Sequence, residues 1–194
     1  MPLFRRCYPL ALLVLALLGI TGAARAQDAP EDRAALEKQI FEVLSRSHWV
    51  AEGPANPDRV VYTFTDMKCP YCTRQWRDMR PLLDDPDNRT QVRHVIVAVL
   101  RPGSYPEGAA VLAADDPAAA LAKGQEQGLA PLDPVPEAVG RKLRENNALM
   151  REFGIRGTPA TIFRDPNGKL QFAPGVLQPE TLRKLVFQIS RSAS

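Results

Sequence analysis

Thiols and imidazoles are scarce in this chain. It holds 194 residues but only three cysteines, and only two histidines, His48 and His94. A structural zinc site needs four ligands, commonly cysteine and histidine, so that supply argues against one. Structural disulfides in exported domains join cysteines far apart in sequence, and no such spacing remains here once the leader is set aside. Long apolar runs are missing too. The longest, Leu10 to Ile20, covers 11 residues, whereas a bilayer span needs roughly 20. Low-complexity tracts are absent. Composition is globular, with 45% hydrophobic and 24% charged residues. The 18 prolines mark chain reversals between elements.

The short apolar run has a context. Arg5 and Arg6 precede it and Ala24-Arg25-Ala26 comes after it. A basic n-region, an apolar h-region and small residues at the cleavage site define a secretory signal peptide over 1–26, with cleavage expected after Ala26. That segment holds three of the 25 basic residues and no acid. Its removal leaves 22 basic residues against 22 acidic ones. A neutral chain implies no nucleic-acid or anionic-membrane partner. Cys7 leaves with the leader, so Cys69 and Cys72 are the expected mature complement. A bridge between them closes a loop too small to constrain the unfolded chain, which points to chemistry rather than stapling.

Residues 32–47 carry Leu36, Ile40, Val43 and Leu44 on one helical stripe. After the breakers Gly53-Pro54-Ala55-Asn56-Pro57, the β-branched and aromatic run Arg59 to Thr65 predicts a buried strand. The dithiol Cys69-Pro70-Tyr71-Cys72 comes next, then a helix over 70–83 with Trp76, Met79 and Leu83 inward. A second strand is predicted over 92–100, helical segments over 107–153, and a third strand over 158–163. Pro166-Asn167-Gly168 reads as a hairpin turn leading to a return strand over 169–173. A last helix runs through 178–189, with Leu182, Leu185, Val186 and Ile189 apolar. This order predicts an α/β, thioredoxin-like fold. Its four-stranded mixed sheet has a helical insertion, about 106–156, between βαβ and ββα halves. The domain division expected is a signal peptide at 1–26, a linker helix and loop at 27–57, and a catalytic domain at 58–194.

C-x-x-C spacing sets both sulfurs on one helical turn. Cys69 stands where a strand ends and a helix begins, and free N–H groups and the helix dipole there favour a thiolate. Lys68 adds a positive neighbour, and Pro70 suits the first helical turn. Cys69 is therefore expected to be the exposed nucleophile and Cys72 the buried resolving thiol. Downstream, Gly157-Thr158-Pro159-Ala160 places a Thr-Pro step at a strand start. Cis is only about 0.5–1 kcal/mol above trans before proline, so the fold can select it. Backbone next to such a proline can pair with an extended substrate.

Several of these residues resemble one family. Phe64-Thr65-Asp66 running into Cys69-Pro70-Tyr71-Cys72, then Trp76, is similar to the catalytic domain of the DsbC/DsbG proteins of the bacterial periplasm. Ser47-His48-Trp49, Asn146 to Met150 and Gly157-Thr158-Pro159-Ala160 also fit, and the Pro-Tyr pair between the cysteines is the DsbG-like form. The resemblance covers about residues 45–190. It implies a periplasmic thiol:disulfide oxidoreductase that reduces or isomerises disulfides of exported, cysteine-bearing proteins, or reduces sulfenylated cysteines. It also implies reduction by an inner-membrane donor of the DsbD type. Cys69 would attack, Cys72 would resolve, and Thr158-Pro159 would face the substrate. No cofactor is implied beyond the Cys69–Cys72 disulfide. Members of that family carry an N-terminal dimerisation domain, whereas residues 27–50 suffice for a linker helix alone, and the stripe on 32–47 is only about two heptads long. A monomer is expected. A DsbA-like dithiol oxidase and a non-enzymatic periplasmic chaperone or binding module stay open as alternatives.

Overall fold

A computed structural model of the protein describes residues 30–189. The expected signal peptide and its cleavage site lie outside the described residues. Among the described residues, the division into two units falls between Leu36 and Glu37. Residues 30–36 open helix α1, and the sheet with the helices that cover it belongs to the second unit.

α1 covers Pro30–Ser45, β1 Trp49–Glu52, β2 Arg59–Asp66, α2 Pro70–Leu83 and β3 Thr90–Val97. The insertion contributes α3 (Ser104–Ala113), α4 (Pro117–Gln127) and α5 (Glu137–Glu152). β4 (Ala160–Arg164), β5 (Leu170–Pro174) and α6 (Pro179–Thr181) close the chain, and α6 continues as a π-helical segment over Leu182–Phe187.

The sheet has five strands in the order β1-β3-β2-β4-β5, not the four expected. The added strand is β1, which pairs antiparallel with β3 through Trp49↔Val95 and Val50↔His94. Four residues ahead of a breaker cluster give no periodicity to read, and the strand is held by a partner over forty residues away. The central pair β2–β3 is parallel, while β2–β4 and β4–β5 are antiparallel. The hairpin turn forms as expected. Gly168 takes φ +76°, open to glycine at little cost, and Asp165 Oδ1 accepts from the Asn167 and Lys169 amides.

Alternation along β2 serves two faces. Tyr62 and Phe64 pack with Leu44 of α1 and Leu149 and Met150 of α5. Val61 points the other way, to Met79 and Leu82 of α2 and to Leu182, Val186 and Phe187. Complete burial of each such side chain contributes roughly 1.5–3 kcal/mol. Leu82, not Leu83, is the buried member of its pair. The C-terminal segment departs from the expected α-helix because wider turns bring Leu182, Val186 and Phe187 onto one face together. Leu185 is left 42% exposed. A third cluster joins Ile96 and Val50 to Ala109, Val111, Leu121 and Leu143 of the insertion.

Asparagines finish the sheet where backbone pairing stops. Asn146, fully buried, donates to the carbonyls of His48 and Ile96 and accepts from the His48 amide. Asn147 bonds both the amide and the carbonyl of Ala98. Each satisfies backbone groups that would otherwise be buried unpaired.

Candidate active site

β2 ends at Asp66, and its carboxylate organises the two loops at that end of the sheet. It accepts from the amides of Lys68, Val99 and Leu100 at 2.9, 2.9 and 3.1 Å, and from the Ser104 hydroxyl at 2.7 Å. The turn after β2 and the loop after β3 are thereby fixed to one buried side chain. Three residues on, Cys69 is the N-cap of α2, with extended φ −92° and ψ 108°. Its Sγ accepts from the Cys72 amide at 3.3 Å, the place a capping oxygen usually takes. Pro70 occupies the first helical position, where no N–H is needed.

Cys69 and Cys72 are free thiols. Both are buried, at 2% and 3% relative exposure, so Cys69 is not the exposed member expected. Its Sγ lies against the Thr158–Pro159 loop, within 3.2 Å of the Thr158 carbonyl oxygen. The two sulfurs differ instead in proton affinity. Hydrogen bonding from the Cys72 thiol, then from the Thr158 side chain and the amides of Cys72 and Tyr71, outweighs the opposing effect of burial and brings Cys69 down to about 6. Burial first, then the bond to Cys69, pushes Cys72 well above the ordinary thiol range. Tyr71, between them, is 62% exposed.

Lys68, expected as a positive neighbour of Cys69, pairs its ammonium with the Glu107 carboxylate on α3.

The Thr158–Pro159 bond is cis, and the Thr158 carbonyl faces the dithiol. A cavity of about 310 Å3 opens beside the loop, bounded by Gly157, Thr158 and Pro159 on one side and Phe172 and Pro174 on the other.

α2 is tied down on several sides by residues that sequence reasoning assigned no role. Glu52 of β1 accepts from Trp76 Nε1 at 3.1 Å and from Arg80 at 2.7 Å, and its Oε2 lies 2.8 Å from His94 Nε2. Burial would raise the Glu52 carboxyl, but the bond and charge of His94 and then Arg80 bring it below the ordinary value. Thr73 donates to Gln125 Oε1 of α4 at 2.7 Å. Gln75 donates to Thr161 and accepts from the Leu177 amide. The available signal for Gln75 was a polar residue inside the inward stripe Cys72, Trp76, Met79. For Glu52 no local signal existed.

The dithiol thus sits at a helix N-cap, one sulfur readily ionised and the other held protonated, against a cis-proline loop. The family model of the thioredoxin-like domain matches residues 50–190, and the chain belongs to that family. Over 157 residues it is 37% identical to the thiol:disulfide interchange protein DsbG of Pseudomonas aeruginosa, covering 79% of this chain and 60% of that protein. Over 149 residues it is 32% identical to Escherichia coli DsbG, covering 75% and 59%. The chain thus spans about 60% of the length of these relatives. Among solved structures, the catalytic domain of Proteus mirabilis ScsC superposes with a TM-score of 0.65 at 22% identity, covering 80% of this chain and 96% of that one.

Proposed function

We propose that the protein is a DsbG-like thiol:disulfide oxidoreductase acting on exported proteins that carry cysteines. The observation that carries this reading is the split between the sulfurs: Cys69 is brought down to about 6 while Cys72 is pushed up. The thiolate is the attacking species in exchange. At neutral pH Cys69 attacks one sulfur of a substrate disulfide. A bond forms between Cys69 and that sulfur, the substrate S–S bond breaks, and the other sulfur leaves as a thiolate. Cys72 then passes its proton to the released substrate thiolate and attacks Cys69 Sγ, breaking the bond between Cys69 and the substrate. The Cys69–Cys72 disulfide forms, the substrate leaves reduced, and two electrons have passed from the protein to the substrate. Thr158 and Pro159 lie where an extended substrate would align beside Cys69.

By likeness to DsbG, the working compartment is the periplasm, reached by cleavage of residues 1–26, and an inner-membrane donor of the DsbD type returns the pair to the dithiol. One observation favours a second reading. Stabilising the Cys69 thiolate stabilises the reduced form, which makes the disulfide more oxidising, the property of a DsbA-like oxidase. The redox state of the pair in the cell separates the two: mostly dithiol for a reductase or isomerase, mostly disulfide for an oxidase.

Exchange with a disulfide-bonded model protein tests the class. Cys69→Ser is expected to abolish it, and Cys72→Ser to accumulate mixed disulfides visible on non-reducing gels. Undiminished exchange by Cys69→Ser would overturn the assignment.

A further inference from the structure

Gln75 sits one turn beyond Cys72 on the buried face of α2, where its buried neighbours Cys72, Trp76, Met79 and Leu82 are apolar. It is 2% exposed, and both ends of its amide are engaged. Nε2 donates to Thr161 Oγ1 at 3.0 Å, and Oε1 accepts from the Leu177 amide at 2.9 Å. A buried amide without partners is destabilising, so an apolar residue would suit this position unless the bonds themselves matter.

The partners are informative. Thr161 is two residues beyond Pro159, on β4. Leu177 comes just after the turn in which the Gly175 amide donates to the Pro159 carbonyl at 2.8 Å. Gln75 therefore grips both the strand that continues from the Thr158–Pro159 loop and the segment that braces it from behind. The other side-chain bonds of α2 lead elsewhere: Trp76 and Arg80 to Glu52 on β1, Thr73 to Gln125 on α4. Among the described residues, the one side-chain hydrogen bond joining α2 to β4 is the bond from Gln75 to Thr161.

We propose that Gln75 is a positioning residue for thiol–disulfide exchange, setting the gap between Cys69 on α2 and the Thr158–Pro159 loop through its bonds to Thr161 and Leu177. The inference rests on the proposed function and deepens it. The bond that most favours the Cys69 thiolate comes from Cys72 on its own helix terminus, but exchange with a polypeptide also needs the loop in register. An error of about 1 Å in such a gap can cost a reaction up to about a hundredfold.

The test compares two reactions of Cys69 in the native protein, Gln75→Met, Thr161→Val and the double variant. One reaction is alkylation by iodoacetamide, which needs only the thiolate. The other is exchange with a disulfide-linked peptide, which needs thiolate and loop. Gln75→Met is expected to slow peptide exchange about tenfold while alkylation changes by less than about twofold. Thr161→Val should act in the same direction, and the double variant should be no slower than Gln75→Met alone, because the two share one bond. Thr161→Val loses a hydroxyl at constant shape and serves as the readout if Gln75→Met does not fold. Equal loss in both reactions, or loss in neither, overturns the inference. A native protein that is alkylated but exchanges no peptide disulfide overturns the functional reading instead.

Discussion

The Cys69 thiol and the Thr158 carbonyl oxygen, 89 residues apart in sequence, meet at 3.2 Å. The S–H donates there, so this contact exists only while Cys69 is protonated. The Cys72 amide, 3.3 Å from the same sulfur, favours the ionised form. Cys69 is thus held between a partner for each of its two states, and the balance lies with the thiolate.

Thiolate absorbance of the reduced protein at 240 nm should rise with a midpoint near pH 6. The step should vanish in Cys69→Ser and persist in Cys72→Ser, moved upward because the Cys72 bond is the largest cause of the shift. A step that survives in Cys69→Ser would assign the acidic thiol to the wrong residue.

Stability of the reduced protein should depend on pH through the same group. Cys69 is lowered from 9.0 to about 6 on folding. Between those values the unfolded chain holds a proton that the folded one has lost, so stability rises with pH across that window and is lost as pH falls through about 6. Melting temperatures of the native protein minus those of Cys69→Ser, taken under reductant from pH 5 to 9, should increase with pH. A difference that falls across this range would contradict the assignment.

Glu52→Ala leaves Arg80 and the Trp76 indole without their shared acceptor and His94 without the carboxylate beside it. Removing one member of a buried charged group costs about 3–5 kcal/mol, and urea unfolding should show a loss of that order. The Glu52 carboxyl is held below its ordinary value of 4.5. Its contribution is complete above 4.5 and declines as pH drops through the lowered value, so the gap between native and variant should narrow only in acid.

Lys68→Met should leave the midpoint of Cys69 ionisation in place while lowering the melting temperature. The ammonium is engaged by Glu107, and its loss strands a nearly buried carboxylate on α3. A clear upward move of the Cys69 midpoint would show instead that Lys68 acts on the sulfur directly.

Legibility in the sequence depends on how local each signal is. β2 and α2 announce themselves through a β-branched run and through Pro70 at the helix start, so the placement of Cys69 and Cys72 could be read directly. The Thr158–Pro159 loop was readable as a motif, and its meeting with Cys69 came with the expected fold. β1 was not readable: four residues carry no period, and its stability comes from β3. The partner of Lys68 was hidden for the same reason. Charge beside Cys69 in sequence says nothing of a carboxylate 39 residues later that takes it. The burial of Cys69 and the grip of Gln75 on Thr161 belong to tertiary geometry alone.

The three anchorages of α2, at Glu52, at Gln125 and at Thr161, also bear on how much of the molecule must move when electrons change hands. Bond making and breaking at two sulfurs shifts atoms by an ångström or so at the tip of a helix whose body is clamped to sheet and insertion alike. In the proposed exchange, a helix held at these points leaves most of the accompanying reorganisation to the substrate chain.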